Sequence, residues 1–425
     1  MKKNYKNISH HLKTATGALL SSAAVVAPIS AVQASDAVSG WETDVAVLIY
    51  NETDRVSAFE PAITTKKTFD DESVLGFKFV FDALTGASAN GAAISDSVQT
   101  FTRPSGNGEY TTTAGDTPLD DTFKDTRVSL SANYETPVGR LNKMVYGANI
   151  SNEYDFLSLG GSATYMQDFN ERNTTLSAGV SFEYDSIKPV GGKPVPLSEM
   201  QANSATQVRD GADDTRVMTE LLLGVTQIID RNTLVQFNYG FATSDGYHND
   251  AYKVTSVLDI NGDLITNTNS NLPGTYLYEN RPDSRTKHSV FAKVKRFISG
   301  DVADISYRYM WDDWKVASNT IDAHYRKNFS EGWYLEPHVR YYSQDAAEFY
   351  NYSLTSAEAG DLIATGGNLT SDYRLGDMTA TTVGLKLGFL TPNGNENSVR
   401  LEMYTQEPDL NEKVEAVILQ YNYSF

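Results

Sequence analysis

The sequence predicts an all-β fold, a transmembrane antiparallel up-and-down β-barrel of about 16 strands with short periplasmic turns and long extracellular loops. Three observations predict it. The chain ends on a strictly alternating segment, with Val417, Leu419, Tyr421, Tyr423 and Phe425 on one face and Ile418, Gln420, Asn422 and Ser424 on the other. A period of two puts successive side chains on opposite sides of a strand, and a greasy aromatic face beside a polar one suits a wall between lipid and water. The chain also opens on an export pattern, and its connections alternate between short and long.

Residues 1–34 carry Lys2, Lys3, Lys6 and Lys13, an apolar stretch from Ala18 to Ile29, and the small-residue ending Val32-Gln-Ala34. This is the grammar of a cleaved signal peptide, leaving 35–425 as a single barrel domain. Cleavage removes four lysines and no acid, so the mature chain is more negative than the formal −19 of the full sequence. No later run of about 18 apolar residues is long enough for a transmembrane helix, so any span is made of strands. There is no cysteine, which excludes a lipoprotein anchor, a disulfide framework and any thiolate site. Net acidity argues against nucleic acid as a partner. The 25 tyrosines and 18 phenylalanines fit interfacial girdles better than a disordered acidic chain.

Alternating segments of about ten residues fall near 41–51, 55–67, 73–85, 125–136, 141–153, 156–168, 174–187, 216–229, 233–244, 285–297, 301–312, 318–329, 333–350, 379–390, 398–407 and 413–425. Every second connection is a tight turn rich in Gly, Pro, Asn or Asp, such as Thr136-Pro-Val-Gly139, Asp230-Arg-Asn232 and Ser299-Gly300. The long connections, near 86–124, 188–215, 245–284 and 351–378, all belong to the other class. A soluble sandwich has no reason to sort loop lengths by parity, whereas outer-membrane barrels do, and the sorting makes both termini periplasmic. An even strand number lets 413–425 pair with 41–51 and remove both edges.

In Thr174 to Ile187, Leu176, Ala178, Val180, Phe182 and Tyr184 form the lipid face, and Thr175, Ser177, Gly179, Ser181, Glu183 and Asp185 the lumen face. Register then predicts which lumenal charges meet. Centring the hairpin near residue 331 sets Asp322 opposite Arg340, His324 opposite His338, and Arg326 opposite Glu336. The same arithmetic pairs Glu135 with Lys143, Lys295 with Asp304, Lys287 with Asp312, and Lys386 with Glu402. Asp322, His324, Arg326, Glu336, His338, Arg340, Lys386, Arg400 and Glu402 are the candidate lumen lining.

Motifs for chemistry are sparse. Two facing imidazoles, His324 and His338, with Asp322 and Glu336 nearby, are zinc donors by type, but lumenal salt-bridge ladders also use histidine, and the structural role is the reading taken, with no metal or cofactor assigned. Asp259-Ile-Asn-Gly-Asp263 spaces oxygens like a calcium loop but lacks the bidentate Glu, and Asn261-Gly262 reads as a hairpin turn. Asp120-Asp121 and Asp210-Gly-Ala-Asp-Asp214 read as solvated loop faces. His248 has an acid within reach in Gly246-Tyr-His-Asn-Asp250, yet no nucleophile or second carboxylate accompanies it, so no enzyme is predicted.

The ending on Phe425, with Tyr423 and Tyr421 before it, resembles the terminal signal by which the barrel-assembly machinery of Gram-negative outer membranes recognises its clients. Further stretches resemble an uncharacterised family of Gram-negative outer-membrane proteins, the domain-of-unknown-function family three-five-seven-zero. They include Tyr50-Asn-Glu-Thr-Asp-Arg-Val56, Asp168-Phe-Asn-Glu-Arg-Asn-Thr-Thr-Leu-Ser177, Tyr278-Glu-Asn-Arg-Pro-Asp-Ser-Arg285, Tyr307-Arg-Tyr-Met-Trp-Asp-Asp-Trp314, Leu335-Glu-Pro-His-Val-Arg-Tyr-Tyr342 and Ser371-Asp-Tyr-Arg-Leu375. Ala89 departs from the pattern, which has Pro there. The resemblance carries no catalytic residues. It implies genes near those of a small lipoprotein, a thioredoxin-like protein and a flavin-transferring enzyme, hence a lipoprotein or periplasmic redox protein as partner beside outer-membrane lipids. The expected role is a porin-like channel or transporter for small solutes in the bacterial outer membrane, with a closed barrel acting as a scaffold as the alternative.

Overall fold

The computed structural model describes residues 40–203, 205–265, 275–330, 332–391 and 395–425. The expected signal peptide at 1–34 lies outside the described residues.

Twenty-one strands are formed among the described residues. The first eleven are β1 (Glu42–Glu52), β2 (Val56–Thr68), β3 (Val74–Ala89), β4 (Gln99–Thr102), β5 (Glu109–Thr112), β6 (Leu119–Gly139), β7 (Asn142–Asn152), β8 (Phe156–Phe169), β9 (Thr174–Ile187), β10 (Asp214–Asp230) and β11 (Thr233–Gly246). The rest are β12 (Val254–Leu258), β13 (Tyr276–Tyr278), β14 (Ser284–Ile298), β15 (Asp301–Asp312), β16 (Ala317–Ser330), β17 (Trp333–Gln344), β18 (Ser353–Thr355), β19 (Met378–Leu390), β20 (Glu396–Pro408) and β21 (Val414–Ser424). One α-helix, α1, covers Ser356–Thr365.

Sixteen of these strands close a single barrel in chain order, and β4, β5, β12, β13 and β18 stand outside it. The ring is sealed by antiparallel pairing of β1 with β21, Val47 facing Tyr421 and Asp44 facing Ser424. The seam runs to the last residue, where Phe425 N donates to Thr43 O and Thr43 N to Phe425 O, both at 2.8 Å. Sequence alternation located the barrel strands to within a few residues except at two ends. β6 begins six residues earlier than expected, because Leu119 and Asp120 continue the ladder against Ala89 and Ser88 beyond a bulge. β17 ends at Gln344 rather than near 350, where the chain leaves the wall.

Alternation also fixes the faces. Outside, Leu176, Val180, Phe182, Ile321, Val339, Leu385, Leu401 and Leu419 are exposed, each directly adjacent in sequence to an inward polar or small side chain. Such an apolar band, on a closed wall whose backbone groups are satisfied by neighbours, is the lipid-facing surface of an outer-membrane barrel. Aromatic rings border it at both ends. Trp41 packs near Phe77 and Trp333 stacks on Phe389 toward the tight turns, while His288, Trp311 and Tyr309 stack in series toward the loops.

The long connections, 90–118, 188–213, 247–283 and 345–377, all emerge at one end and fold together. β12 pairs with β13 and, in parallel, with β18, so this small sheet joins two connections. Its buried core holds Val257, Leu277, Leu354, Leu369 and Ala359, with Leu197 from a third connection. The fourth adds Phe101, stacked 5.2 Å from Tyr110 and tilted against Tyr276 at 4.8 Å. Thr355 caps α1 with a reciprocal capping box to Glu358, and Gly366 ends it at φ 67°. The four connections therefore make one packed cap.

Candidate functional site: a charged lumen under an interlocked cap

The candidate lumen residues all fall on the inward face of β16, β17, β19 and β20, opposite the exposed apolar set. Asp322 faces Arg340 and His324 faces His338, and the pairs on either side keep the register that sets Arg326 against Glu336. Lys287 faces Asp312 and Lys295 faces Asp304. Two predicted registers are wrong by two residues. Lys143 faces Pro137, because β6 runs on through the expected turn at Thr136–Gly139 and the chain reverses only after Gly139, and Lys386 faces Arg400, because β20 starts at Glu396, two residues before the expected 398, and sets Leu390 against Glu396.

Facing positions do not by themselves decide which ion pairs form. Lysine and arginine stems reach diagonal neighbours about as easily as opposite ones, so Glu135 meets Lys143 at 2.7 Å despite the shift, and Asp304 takes Lys293 at 2.8 Å rather than Lys295. Asp312 is bound by Arg285 instead of Lys287. Lys386 and Arg326 both turn to Glu396, at 3.4 and 3.9 Å, and Arg326 lies over the Tyr334 ring. Arg340 makes no ion pair among the described residues.

At the centre of this wall the His324 and His338 rings stack, with 4.0 Å between centroids and 3° between planes. Their Nε2 atoms lie 3.0 and 3.1 Å from the two oxygens of Asp322. Nδ1 of His338 is 2.7 Å from Glu402, whose carboxylate also approaches Arg400 at 3.7 Å, and Nδ1 of His324 is 3.6 Å from Glu336.

Sequence reasoning missed the second cluster, in the cap. Arg281 reaches Glu279 at 2.7 Å and Asp372 at 3.0 Å, and Arg374 donates to Asp250 at 3.1 Å and to Asp372. Thr370 Oγ1 donates to Glu279 at 2.7 Å, and Lys253 Nζ to the carbonyl of Ala89. Glu279, Asp250, Asp372 and Lys253 are buried. Burial pushes Glu279 up to about 7 and Lys253 down. Burial also opposes ionisation of Asp372, but Arg374, Lys253 and Arg281 outweigh it and hold the carboxyl well below its usual range. A signal was available, since the stretches 278–285 and 371–375 that resemble the family supply Glu279, Arg281, Asp372 and Arg374.

The connection 247–283 leaves the barrel between β11 and β14, yet Ala251 and Tyr252 pack on Val56, Ala58, Leu84 and Phe123 of β2, β3 and β6. Those strands lie across the ring, so this segment bridges the mouth. Tyr252 Oη donates to Asp155 at 2.7 Å, and Ser371 Oγ to the carbonyl of Val254 at 2.8 Å. His248 is held by Ser244 and by the carbonyl of Gly246, each at 2.8 Å, and not by an acid. Asp259–Asp263 is the expected hairpin turn, with Asp259 accepting from the backbone of Asn261 and Asp263 and Leu258 bridging to Leu264. Asp120 is not a solvated loop acid, for it is buried, 3.5 Å from Arg103, and caps Thr122. Asp210 and Asp214 both approach Lys193.

Fold and site together define an outer-membrane-type β-barrel with a charged lumen and a loop cap. The chain belongs to the family described as "Protein of unknown function (DUF3570)", whose model matches residues 9–425. No curated protein matches it. Among solved structures it is similar to CdiB from Acinetobacter baumannii, at 8% identity and TM-score 0.47, covering 91% of this chain and 60% of that one. It is also similar to a variant of the ferric enterobactin receptor of Pseudomonas aeruginosa, at 8% identity and TM-score 0.44, over 88% of this chain and 54% of the other. A third likeness is to outer membrane protein opdK of Pseudomonas aeruginosa, at 9% identity and TM-score 0.39, over 91% and 99%. The chain thus spans less than two thirds of the length of the first two.

Proposed function

We propose that this protein is a channel or transporter of the bacterial outer membrane for small polar solutes, non-enzymatic, with both termini periplasmic and the cap on the outer side. The observation that carries the reading is solvent access within the wall. Side chains of Asp322, His324, Arg326 and Arg400 face inward yet remain 28%, 26%, 30% and 28% exposed. A barrel filled by its own side chains buries such groups, whereas ionised groups that keep water imply a hydrated bore. The signs are also unevenly spread. Lys287, Lys295, Arg308, Arg340 and Arg400 line the wall from β14 to β20, and Glu60, Asp82, Glu183, Asp185 and Glu220 the wall from β2 to β10. A field across the bore favours ionised or dipolar solutes over apolar ones. The aromatic ending Tyr421, Tyr423 and Phe425 serves in this reading as the assembly signal.

Swelling of proteoliposomes in small sugars and amino acids tests it. Swelling faster than in vesicles carrying heat-unfolded protein supports the channel, and equal rates count against it. The cap favours a second reading, a closed barrel that acts as a scaffold for a lipoprotein or periplasmic redox partner. Crosslinking in native membranes that captures such a partner, from a protein that passes no solute, supports that reading instead.

A further inference from the structure

We propose that Asp322, His324 and His338 bind a first-row divalent transition-metal ion of the zinc class, in the lumen wall midway along β16 and β17. The proposal stands whether or not solutes pass through the barrel. One ligand atom from each of the three residues can be chosen so that all lie within 4.8 Å of one another. Both histidine Nε2 atoms already converge on one carboxylate, at 3.0 and 3.1 Å. Ligand bonds of about 2.0–2.1 Å at tetrahedral angles separate neighbouring donor atoms by roughly 3.3 Å, so little more than rotation of the rings about Cβ–Cγ is needed.

Hydrogen-bond bookkeeping supplies the independent argument. All four ring nitrogens face carboxylate oxygens: Nε2 of each histidine faces Asp322, Nδ1 of His338 faces Glu402 at 2.7 Å, and Nδ1 of His324 faces Glu336 at 3.6 Å. A neutral imidazole has one N–H, and a carboxylate only accepts. Without another cation, His338 meets both its neighbours only as an imidazolium, with the His324 ring stacked 4.0 Å away. His324 Nδ1 is buried without a hydrogen-bond partner. A divalent ion on the Nε2 side removes the conflict. Each ring is then neutral, keeps its proton on Nδ1 toward Glu402 or Glu336, and turns its Nε2 lone pair to the metal beside Asp322. Outer carboxylates that fix histidine tautomers in this way are a regular feature of metal sites. Two imidazoles and one carboxylate suit zinc and its neighbours rather than calcium or magnesium, which take oxygen ligands. Asp322 and His324 keep solvent access, which gives the ion a path from the bore.

The test is titration of the full-length, chelator-stripped protein in detergent with Zn²⁺ against a chromophoric competitor, repeated with Co²⁺. Wild type is expected to bind one equivalent, and His324→Ala or His338→Ala to lose more than about 100-fold in affinity, beyond the roughly 10- to 100-fold loss expected for Glu402→Gln. Co²⁺ is expected to give a d–d spectrum that the double alanine variant lacks. Heat-resistant gel migration verifies the barrel in each variant, and His338→Gln replaces any alanine variant that fails to fold. Zinc affinity equal in wild type and in the folded histidine variants, or a cobalt spectrum unchanged by the substitutions, overturns the proposal.

Discussion

Arg374, just before β19, donates to Asp250, just after β11, at 3.1 Å. The two residues belong to connections that leave the barrel at different points on its rim, so this contact and the Arg374–Asp372 pair beside it clasp the cap. Removing one partner of a buried pair leaves the other charged and unsolvated, at about 3–5 kcal/mol. Arg374→Met is expected to speed proteolysis within 247–283 and 345–377 while the barrel keeps its heat-resistant migration. An unchanged cleavage rate would show that the clasp does not hold the cap.

Gly91 tests the same interlock by shape. It sits at φ +91°, where a Cβ would come within 2.6 Å of Ser371 Oγ and 3.0 Å of the carbonyl of Val254. Backbone strain and overpacking together cost about 1–3 kcal/mol at such a position. Gly91→Ala should lower the melting temperature of the near-ultraviolet circular dichroism from the Phe101, Tyr110 and Tyr276 cluster. An unaltered transition would contradict the packing described.

His248 makes the base of the cap sensitive to acid. Burial, aided by Arg216, pushes its imidazole from 6.5 down to about 4. A histidine whose folded pKa is depressed contributes stability that is complete above about 6.5 and is lost as pH falls toward 4. Amide protection around 247–253, corrected for intrinsic exchange, should therefore weaken between pH 7 and pH 5, and His248→Gln should flatten the change. Protection equal at both pH values in wild type would refute this.

Arg340 is the cleanest probe of lumen charge. It faces Asp322 in register, but Asp322 is taken by the two histidines, so replacing Arg340 orphans no partner among the described residues. Arg340→Glu should shift reversal potentials in asymmetric salt toward cation preference, with a stability change within about 1 kcal/mol, as for hydrated charges. No shift would place Arg340 off the conduction path.

The wall was legible in the sequence because lipid on one side and water on the other force a period of two, visible in segments such as Thr174–Ile187. Tight hairpins made His324 opposite His338 readable, and the start of β20 at Glu396, earlier than the alternation suggests, displaced Lys386 from Glu402. Which charges touch was harder to read, since long side chains choose diagonal partners, as Lys293 does with Asp304. Apart from the turn at Asp259–Asp263, the cap was not legible. Its strands are three to five residues long, too short for periodicity, and its ion pairs join residues such as Asp250 and Arg374, 124 positions apart.

The central claim is a hydrated bore restricted by an interlocked cap, and single-channel recording in planar bilayers tests it most directly. Wild type and Arg374→Met should both give stepwise currents, larger and more frequent in the variant whose cap is loosened. Absence of current from both, with the barrels shown to be folded and inserted, would contradict the account.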